Sequence, residues 1–491
     1  MRNRLLAMLV SVVLALGMMP AIALADEGDA KSYLALGDSI SSGYGLEEGV
    51  GSFVDLFALE NGLEADDSFA APGMTSSDLL GLIANETLLA KIAEADVVTV
   101  TIGGNDVLAA LYSYLANAYN AAYPDDDMTA ERIQAVLMGD DIEAKAGLIA
   151  FASGQLDGFA TSTEAAQALQ GFSANLGTIV DVISATNPDV KLIIANQYNP
   201  YSHLANELAG TDYEDELAAI SSAFDAGATA LSAAIRVSAM SGDFVIADAF
   251  GTFAAASENP CNASLTVVSL DPPLFDLDLD FHPNEYGHNL LARTFTLALH
   301  PSASFPDVSP KEWYVDAIDW AVSNGILGGY GDTGLMGPDQ ELTRAQAAQI
   351  LWNAAQKPAA DVSVLDAFSD VDASAWYADA LAWAVSNGLF SGYAGTSEMR
   401  PDDALSREQT AVVLMRLAAL QGKDVSARAD LSTFVDEEFV SDWSHDAMAW
   451  AVDAGVINGV EIELDTLALA PQSACIRAQM ATILMNYATV A

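Results

Sequence analysis

Basic side chains are scarce in this chain: 18 lysines and arginines stand against 68 aspartates and glutamates, a formal charge of −50 over 491 residues. Nucleic acid and anionic membranes would repel such a surface, so neither is expected as a partner. Cysteine is nearly absent. Cys261 and Cys475 are the only two, and lying in what read as different regions they are expected to remain unpaired. No Cys-x-x-Cys or His-Glu-x-x-His occurs, and nothing points to a catalytic metal or other cofactor. No Gly-x-Ser-x-Gly elbow surrounds any serine, which disfavours a lipase of the α/β-hydrolase type. Long uncharged apolar runs are missing after the first 25 residues, so no later membrane span is expected. Tryptophan is missing until residue 313.

What is present starts with a leader. Arg2 and Arg4, an apolar stretch from Leu5 to Leu16 and the small-residue site Ala23-Leu24-Ala25 read as a signal peptide over residues 1–25. The mature chain is therefore expected to be exported. It is too long for one usual core. The tryptophan boundary and the Pro301-Ser302-Ala303-Ser304 stretch divide it into residues 26–300 and a region from 304 onward.

That second region repeats itself. Trp-Tyr-Val-Asp-Ala-Ile-Asp-Trp-Ala-Val begins at Trp313, and related segments begin at Trp376 and Trp443. Each copy opens with Phe-x-Asp (Phe305, Phe368, Phe434), carries a glycine after its helix (Gly325, Gly388, Gly455) and an arginine before the next (Arg344, Arg407, Arg477). Apolar residues fall at helical spacing, and units this small must share a core. The tryptophans read as core residues. With Thr343-Arg344-Ala345-Gln346, Ser406-Arg407-Glu408-Gln409 and Ile476-Arg477-Ala478-Gln479, the region resembles three S-layer homology modules, at 304–362, 367–425 and 433–491. The resemblance implies a mainly helical trimer of modules that grips an anionic secondary cell-wall polysaccharide, with Arg344 and Arg407 on its acidic groups. The alternative is that these arginines only brace the helices. The third copy departs from the pattern at Ile476 and Ser444.

In residues 26–300, buried-looking runs at 33–36, 97–102, 191–195 and 244–247 alternate with alanine-rich helical stretches, the pattern of a doubly wound parallel sheet in an α/β fold. Ligands of such sheets sit beyond the carboxyl ends of the strands. Gly37-Asp38-Ser39-Ile40 follows the first run and Gly103-Gly104-Asn105-Asp106 the second, while Asp280-Phe281-His282-Pro283-Asn284 precedes the last helical stretch. A serine needs a base to become a nucleophile, and histidine has the suitable pKa. With Ala71-Pro72-Gly73-Met74-Thr75 between the first two blocks, the region resembles a GDSL-type (SGNH) hydrolase with a flavodoxin-like sheet. The resemblance implies Ser39 as nucleophile, His282 as base, and an oxyanion hole from the Ser39 and Gly73 N–H groups and the Asn105 amide. Leu279 stands where many members have the aspartate, leaving Asp280, favoured, and Asp278. Gly73 is expected to be glycine because a side chain could block backbone approach. Asp276-x-Asp278-x-Asp280 is a fragmentary calcium-loop pattern without its glycine and glutamate. The helical stretch from 107 to 180 is expected over the site's mouth. The reading is a wall-anchored esterase acting on acyl or acetyl esters of lipids or glycans; a non-catalytic surface or adhesion protein on the same scaffold is the alternative.

Overall fold

The computed structural model describes residues 31–207, 214–270, 273–463 and 466–490; the expected leader over residues 1–25 lies outside them. The chain parts into two units between Leu299 and His300. In the first, the elements run β1 (Lys31–Gly37), α1 (Phe53–Asn61), β2 (Leu63–Ala70), α2 (Ser76–Leu82), α3 (Glu86–Glu94), β3 (Val97–Thr101), α4 (Gly104–Ala122), α5 (Ala130–Leu137) and α6 (Ile142–Ser153). There follow α7 (Leu156–Phe159), α8 (Thr163–Thr186), β4 (Lys191–Ala195), α9 (Ser202–Glu207), α10 (Glu214–Ala239), β5 (Val245–Ala247), α11 (Ala249–Ala254), the hairpin β6 (Ser264–Leu270) and β7 (Pro273–Asp278), and α12 (Glu285–Leu299).

The sheet order is β2-β1-β3-β4-β5, with every pair parallel. The four apolar runs of the sequence are β1, β3, β4 and β5. The fifth strand, β2, reads Leu-Glu-Ala-Asp-Asp-Ser-Phe-Ala and is mostly solvated because it pairs only with β1 at the sheet edge; it has no apolar run to announce it. Leu34, Leu36, Val98, Val100, Leu192 and Ile194 face α2, α3, α8 and α10. The alternate residues Tyr33, Ala35, Val97, Ile193 and Ala195 face α1, α11 and α12, where Phe53 and Phe295 stack at 4.8 Å. This period-2 alternation buries both faces of the sheet. A separate apolar cluster joins α4, α5, α6 and α7 to the start of α10 and to Leu277 of β7, so the part of the 107–180 stretch up to α7 forms a helical cap, while α8, expected to belong with it, packs on the sheet instead. The buried Lys145 of α6 ties that cap to the hairpin through Asp276 at 3.0 Å. Leu217–Ala239 of α10 is long and apolar enough to cross a bilayer by length and composition alone; here its Leu231 and Ile235 pack on the sheet.

The second unit carries two helices per copy, α13 (Val315–Ser323) and α14 (Arg344–Ala354), α15 (Ala378–Ser386) and α16 (Arg407–Leu420), α17 (His445–Asp453) and α18 (Arg477–Ala488), and they pack in pairs between copies: α14 with α15, α16 with α17, and α18 with α13. The repeated motifs have direct physical roles. The aspartate of each Phe-x-Asp clamps two successive backbone N–H groups of its own copy: Asp307 those of Met336 and Gly337, Asp370 those of Met399 and Arg400, Asp436 those of Leu469 and Ala470. Gly325, Gly388 and Gly455 end the first helices at φ of 66°, 69° and 67°, the left-handed cap for which glycine is suited. Thr343 and Ser406 close capping boxes with Gln346 and Gln409; Ile476 has no hydroxyl to do so. Backbone bonds from Leu342 to Cys475, Cys475 to Leu405 and Leu405 to Leu342 close a triangle between the copies. Cys475 and Cys261 are both buried free thiols.

One sequence expectation is corrected here. The first tryptophan of each copy, Trp313, Trp376 and Trp443, is not core but 44%, 65% and 59% exposed. Each stands just outside the first helix of its copy, while the second tryptophans Trp383 and Trp450 are buried.

The arginines pass from copy to copy. Arg344 donates to Met399 O and Ser391 O, Arg407 to Leu469 O, and Arg477 to Met336 O and Gly328 O, so the third closes the ring onto the first. Arg477→Ala would leave those carbonyls without their charged donor, at a cost of about 2–4 kcal/mol. All seven tryptophans lie in this unit, so the expected loss is a lower urea midpoint in tryptophan fluorescence.

Candidate active site

Ser39 sits where β1 ends, and the turn that presents it is tied to the end of β3. Gly37 adopts φ of 121°, and a Cβ there would lie 2.0 Å from Thr101 O, so only glycine allows the two strands to approach this closely. Asp38 N–H donates to Thr101 O. The Asp38 carboxylate accepts from the Thr101 hydroxyl at 2.8 Å and from Ile40 N–H at 3.1 Å, and the Ser41 hydroxyl bonds Thr101 Oγ1 at 2.7 Å. Ser39 is thereby held by a rigid turn, itself buried.

The partner arrives from the far end of the unit. His282 Nε2 is 2.9 Å from Ser39 Oγ, and His282 Nδ1 is 2.5 Å from Asp280 Oδ1. Asp280 Oδ1 also accepts His282 N–H, and Asn262 Nδ2 donates to Asp280 Oδ2 at 3.1 Å. Asp278 instead accepts the backbone N–H of Asp280 at 3.0 Å. The three carboxylates of the fragmentary calcium pattern do not converge, since Asp276 is turned to Lys145. The backbone around the histidine is fixed from several sides. Asn262 N–H donates to His282 O, Tyr198 OH to Phe281 O and Tyr201 OH to Leu279 O. Tyr44 covers the imidazole at 4.8 Å between ring centres.

Burial pulls the Asp280 carboxyl upward, but the His282 ring and backbone bonds and the Asn262 amide outweigh it and hold the group below the usual carboxylate range. The arrangement thus presents an ionised carboxylate to Nδ1, a ring nitrogen to the serine, and a hydroxyl to the cavity. The other histidines face elsewhere: His203 the Phe253 carbonyl, His288 the Phe53 N–H, His300 Asp319, and His445 the surface near Glu437.

Asn105 begins α4 and, with Ser39, lines the cavity at the carboxyl edge of the sheet. One of its amide hydrogens goes to Met74 O at 3.0 Å, joining it to the Gly73 loop. Asp106 secures the same junction by accepting the Ser76 N–H and hydroxyl. The expected reason for Gly73 is corrected. A Cβ there meets nothing within 4 Å, and it is the φ of 79° that favours glycine. Among the described residues one group with metal-ligating side chains converges, His300 with Asp316 and Asp319. Its His300 Nδ1 and Asp319 Oδ2 are bonded at 2.6 Å, and Asp319 also takes the Ser302 N–H, so it anchors the start of the second unit.

Asn262, Tyr198, Tyr201 and Tyr44 had no signal in the sequence. The repeat arginines are 7% (Arg344) and 4% (Arg407) exposed, with Nε and, in Arg344, Nη2 engaged by carbonyls of the next copy.

A doubly wound parallel sheet of this order, with Gly-Asp-Ser closing its first strand, is the SGNH hydrolase fold. The chain belongs to the GDSL-like lipase/acylhydrolase family, whose model matches residues 35–290. The S-layer homology domain matches residues 304–348 and 367–411. Among curated proteins, the chain is 34% identical over 185 residues to a surface-layer 125 kDa protein of Lysinibacillus sphaericus, an alignment covering 36% of this chain and 15% of that one. It is 28% identical over 199 residues to the exoglucanase XynX of Acetivibrio thermocellus, covering 40% and 17%. The chain thus spans less than a fifth of either. Solved structures similar to it include an extracellular lipase of Streptomyces rimosus (22% identity, TM-score 0.34, 55% of this chain and 100% of that one) and a phospholipase A1 of Streptomyces albidoflavus (20%, 0.34, 55% and 99%).

Burial raises the Asp38 carboxyl from 3.8 to about 6, against the pull of its hydrogen bonds from Thr101 and Ile40. A carboxyl with a higher pKa in the folded state binds its proton more tightly there, so its contribution to stability is fully present at low pH and is lost as pH rises through that window. Between about pH 5 and about pH 8 the wild type is expected to lose about 1–2 kcal/mol more stability than Asp38→Asn. Urea unfolding followed by circular dichroism checks this, the first unit's transition being the one that leaves tryptophan fluorescence unchanged.

Proposed function

We propose that this protein is a carboxylic-ester hydrolase held at a bacterial cell wall. The observation that carries the first half is the continuous line from Ser39 Oγ through both ring nitrogens of His282 to the Asp280 carboxylate. In this reading His282 takes the serine proton as Oγ attacks the ester carbonyl, and Asp280 stabilises the imidazolium that results. The oxyanion is held by the Ser39 and Gly73 N–H groups and by the Asn105 amide hydrogen not spent on Met74 O. The imidazolium then protonates the departing alcohol. Water, deprotonated by His282, attacks the acyl-serine; the bond to Oγ breaks, the acid leaves, and the imidazolium returns its proton to Ser39 Oγ. No cofactor is invoked.

The wall-anchoring half rests on the S-layer homology segments and on the surface-layer protein among the relatives. The ligand proposed is an anionic wall polysaccharide, bound between copies. Among the described residues, Arg344 Nη1 and both Nη1 and Nη2 of Arg407 have no hydrogen-bond partner and are the atoms proposed to meet its acidic groups, with Trp376 and Trp443, the exposed tryptophans of the copies these arginines reach into, as platforms.

Ser39→Ala is expected to lower kcat on p-nitrophenyl esters by at least about 10⁴-fold, and Asn105→Ala by about 100- to 1000-fold. Equal turnover in wild type and Ser39→Ala would remove the nucleophile from the account. Separately, the mature chain is expected to sediment with purified cell walls and to lose this on deletion of residues 300–491; binding retained after that deletion would refute the anchor.

A further inference from the structure

Two cavities meet in the first unit. The one that opens on Ser39 encloses about 740 Å³ including its mouth. Beyond Ser39 and Asn105 its wall is formed by apolar groups of α4, α7 and α10, among them Val107, Leu108, Phe159 and Leu231. Several polar atoms on that wall are already engaged: Asp38 Oδ1 by Thr101 and Ile40, Gln197 Nε2 by the carbonyl of Ile102, and Tyr198 OH by that of Phe281. A second cavity, of about 520 Å³ including its opening to solvent, lies under the cap. Leu111, Phe224 and Phe281 line both and so stand between them.

This partition is built from three separate elements and is braced. Leu111 is buried in α4. Phe224 of α10 meets the Tyr201 ring edge-on at 4.6 Å, and Tyr201 OH in turn holds the carbonyl of Leu279 at 2.8 Å. Phe281 directly precedes His282, its ring 4.5 Å from the imidazole. The wall beside the nucleophile therefore offers hydrocarbon contact and few free hydrogen-bonding groups, which suits an aliphatic chain and leaves sugar hydroxyls unpaired.

We propose that, granted the esterase reading, the cavity beside Ser39 receives the acyl chain of a fatty-acyl ester, and that Leu111, Phe224 and Phe281 set the longest chain admitted. An acetyl ester would leave the cavity unfilled. The far cavity is the room a longer chain gains when the partition is cut back.

The test uses the mature full-length chain and p-nitrophenyl esters from acetate through octanoate to palmitate. In the wild type kcat/KM rises about fourfold per added methylene until the chain meets the partition, then levels off or falls. In Phe224→Ala the rise continues to longer chains, with the palmitate-to-octanoate ratio at least about tenfold above wild type; Leu111→Ala serves the same purpose should Phe224→Ala fail to fold. An optimum at acetate, or the same break point in both proteins, overturns the proposal while leaving the esterase reading intact. If no ester shows Ser39-dependent turnover, the esterase reading fails instead. Displacement of bound cis-parinaric acid from Ser39→Ala by octanoate and palmitate then decides the cavity: displacement whose chain-length preference shifts on adding Phe224→Ala supports it, and absence of parinarate binding refutes it.

Discussion

The bond between Ser39 Oγ and His282 Nε2 joins positions 243 residues apart, and the first unit is organised around making it short. On the serine side the constraint is the close approach of β1 and β3, which admits only glycine at position 37 and leaves Thr101 to grip both Asp38 and Ser41. On the histidine side there is no regular element to rely on. The segment from Leu279 to His282 follows a hairpin and is held instead by Tyr198, Tyr201 and Asn262 through its own carbonyls and carboxylate. In the proposed reading a base held on a loop must be fixed by such outer contacts, because a shift of about 1 Å at the reacting atoms costs on the order of 100-fold in rate.

Burial at this site has opposite consequences for its two carboxyls. Asp280 is half-buried but surrounded by donors, so it stays ionised where the imidazole needs it. Asp38 is buried more deeply and has fewer donors, so its charge opposes folding. The same distinction recurs in the second unit. There, Asp307, Asp370 and Asp436 each take two backbone N–H groups, and each buried arginine gives at least its Nε–H to a carbonyl of the next copy. In a chain of net charge −50, so few cations placed at the seams between copies act as internal ties.

Much of this was legible in the sequence because it rests on local rules. Glycine blocks at strand ends, apolar runs for the central strands and repeated Phe-x-Asp openings all point to the positions they occupy. What was not legible depends on partners distant in the chain. The edge strand β2 is polar because it has one neighbour and little burial. Asp280 and Asp278 could not be separated by spacing, since the difference lies in which way each carboxylate turns within the loop. Gly73 was read as a matter of space and is a matter of dihedral angle. The first tryptophan of each copy was read as core together with the others, yet it precedes its helix and stays in solvent. The partition between the cavities draws on α4, α10 and the residue before His282, a combination that no local pattern announces.

The central claim is that Ser39 is the nucleophile and His282 its base. The most direct measurement is intact and peptide mass spectrometry after brief exposure of the mature chain to a fluorophosphonate ester. The account predicts a single phosphonyl adduct on the peptide containing Ser39, with its formation strongly slowed in His282→Ala. An adduct on another residue, or no adduct from a protein that still turns over esters, would contradict it.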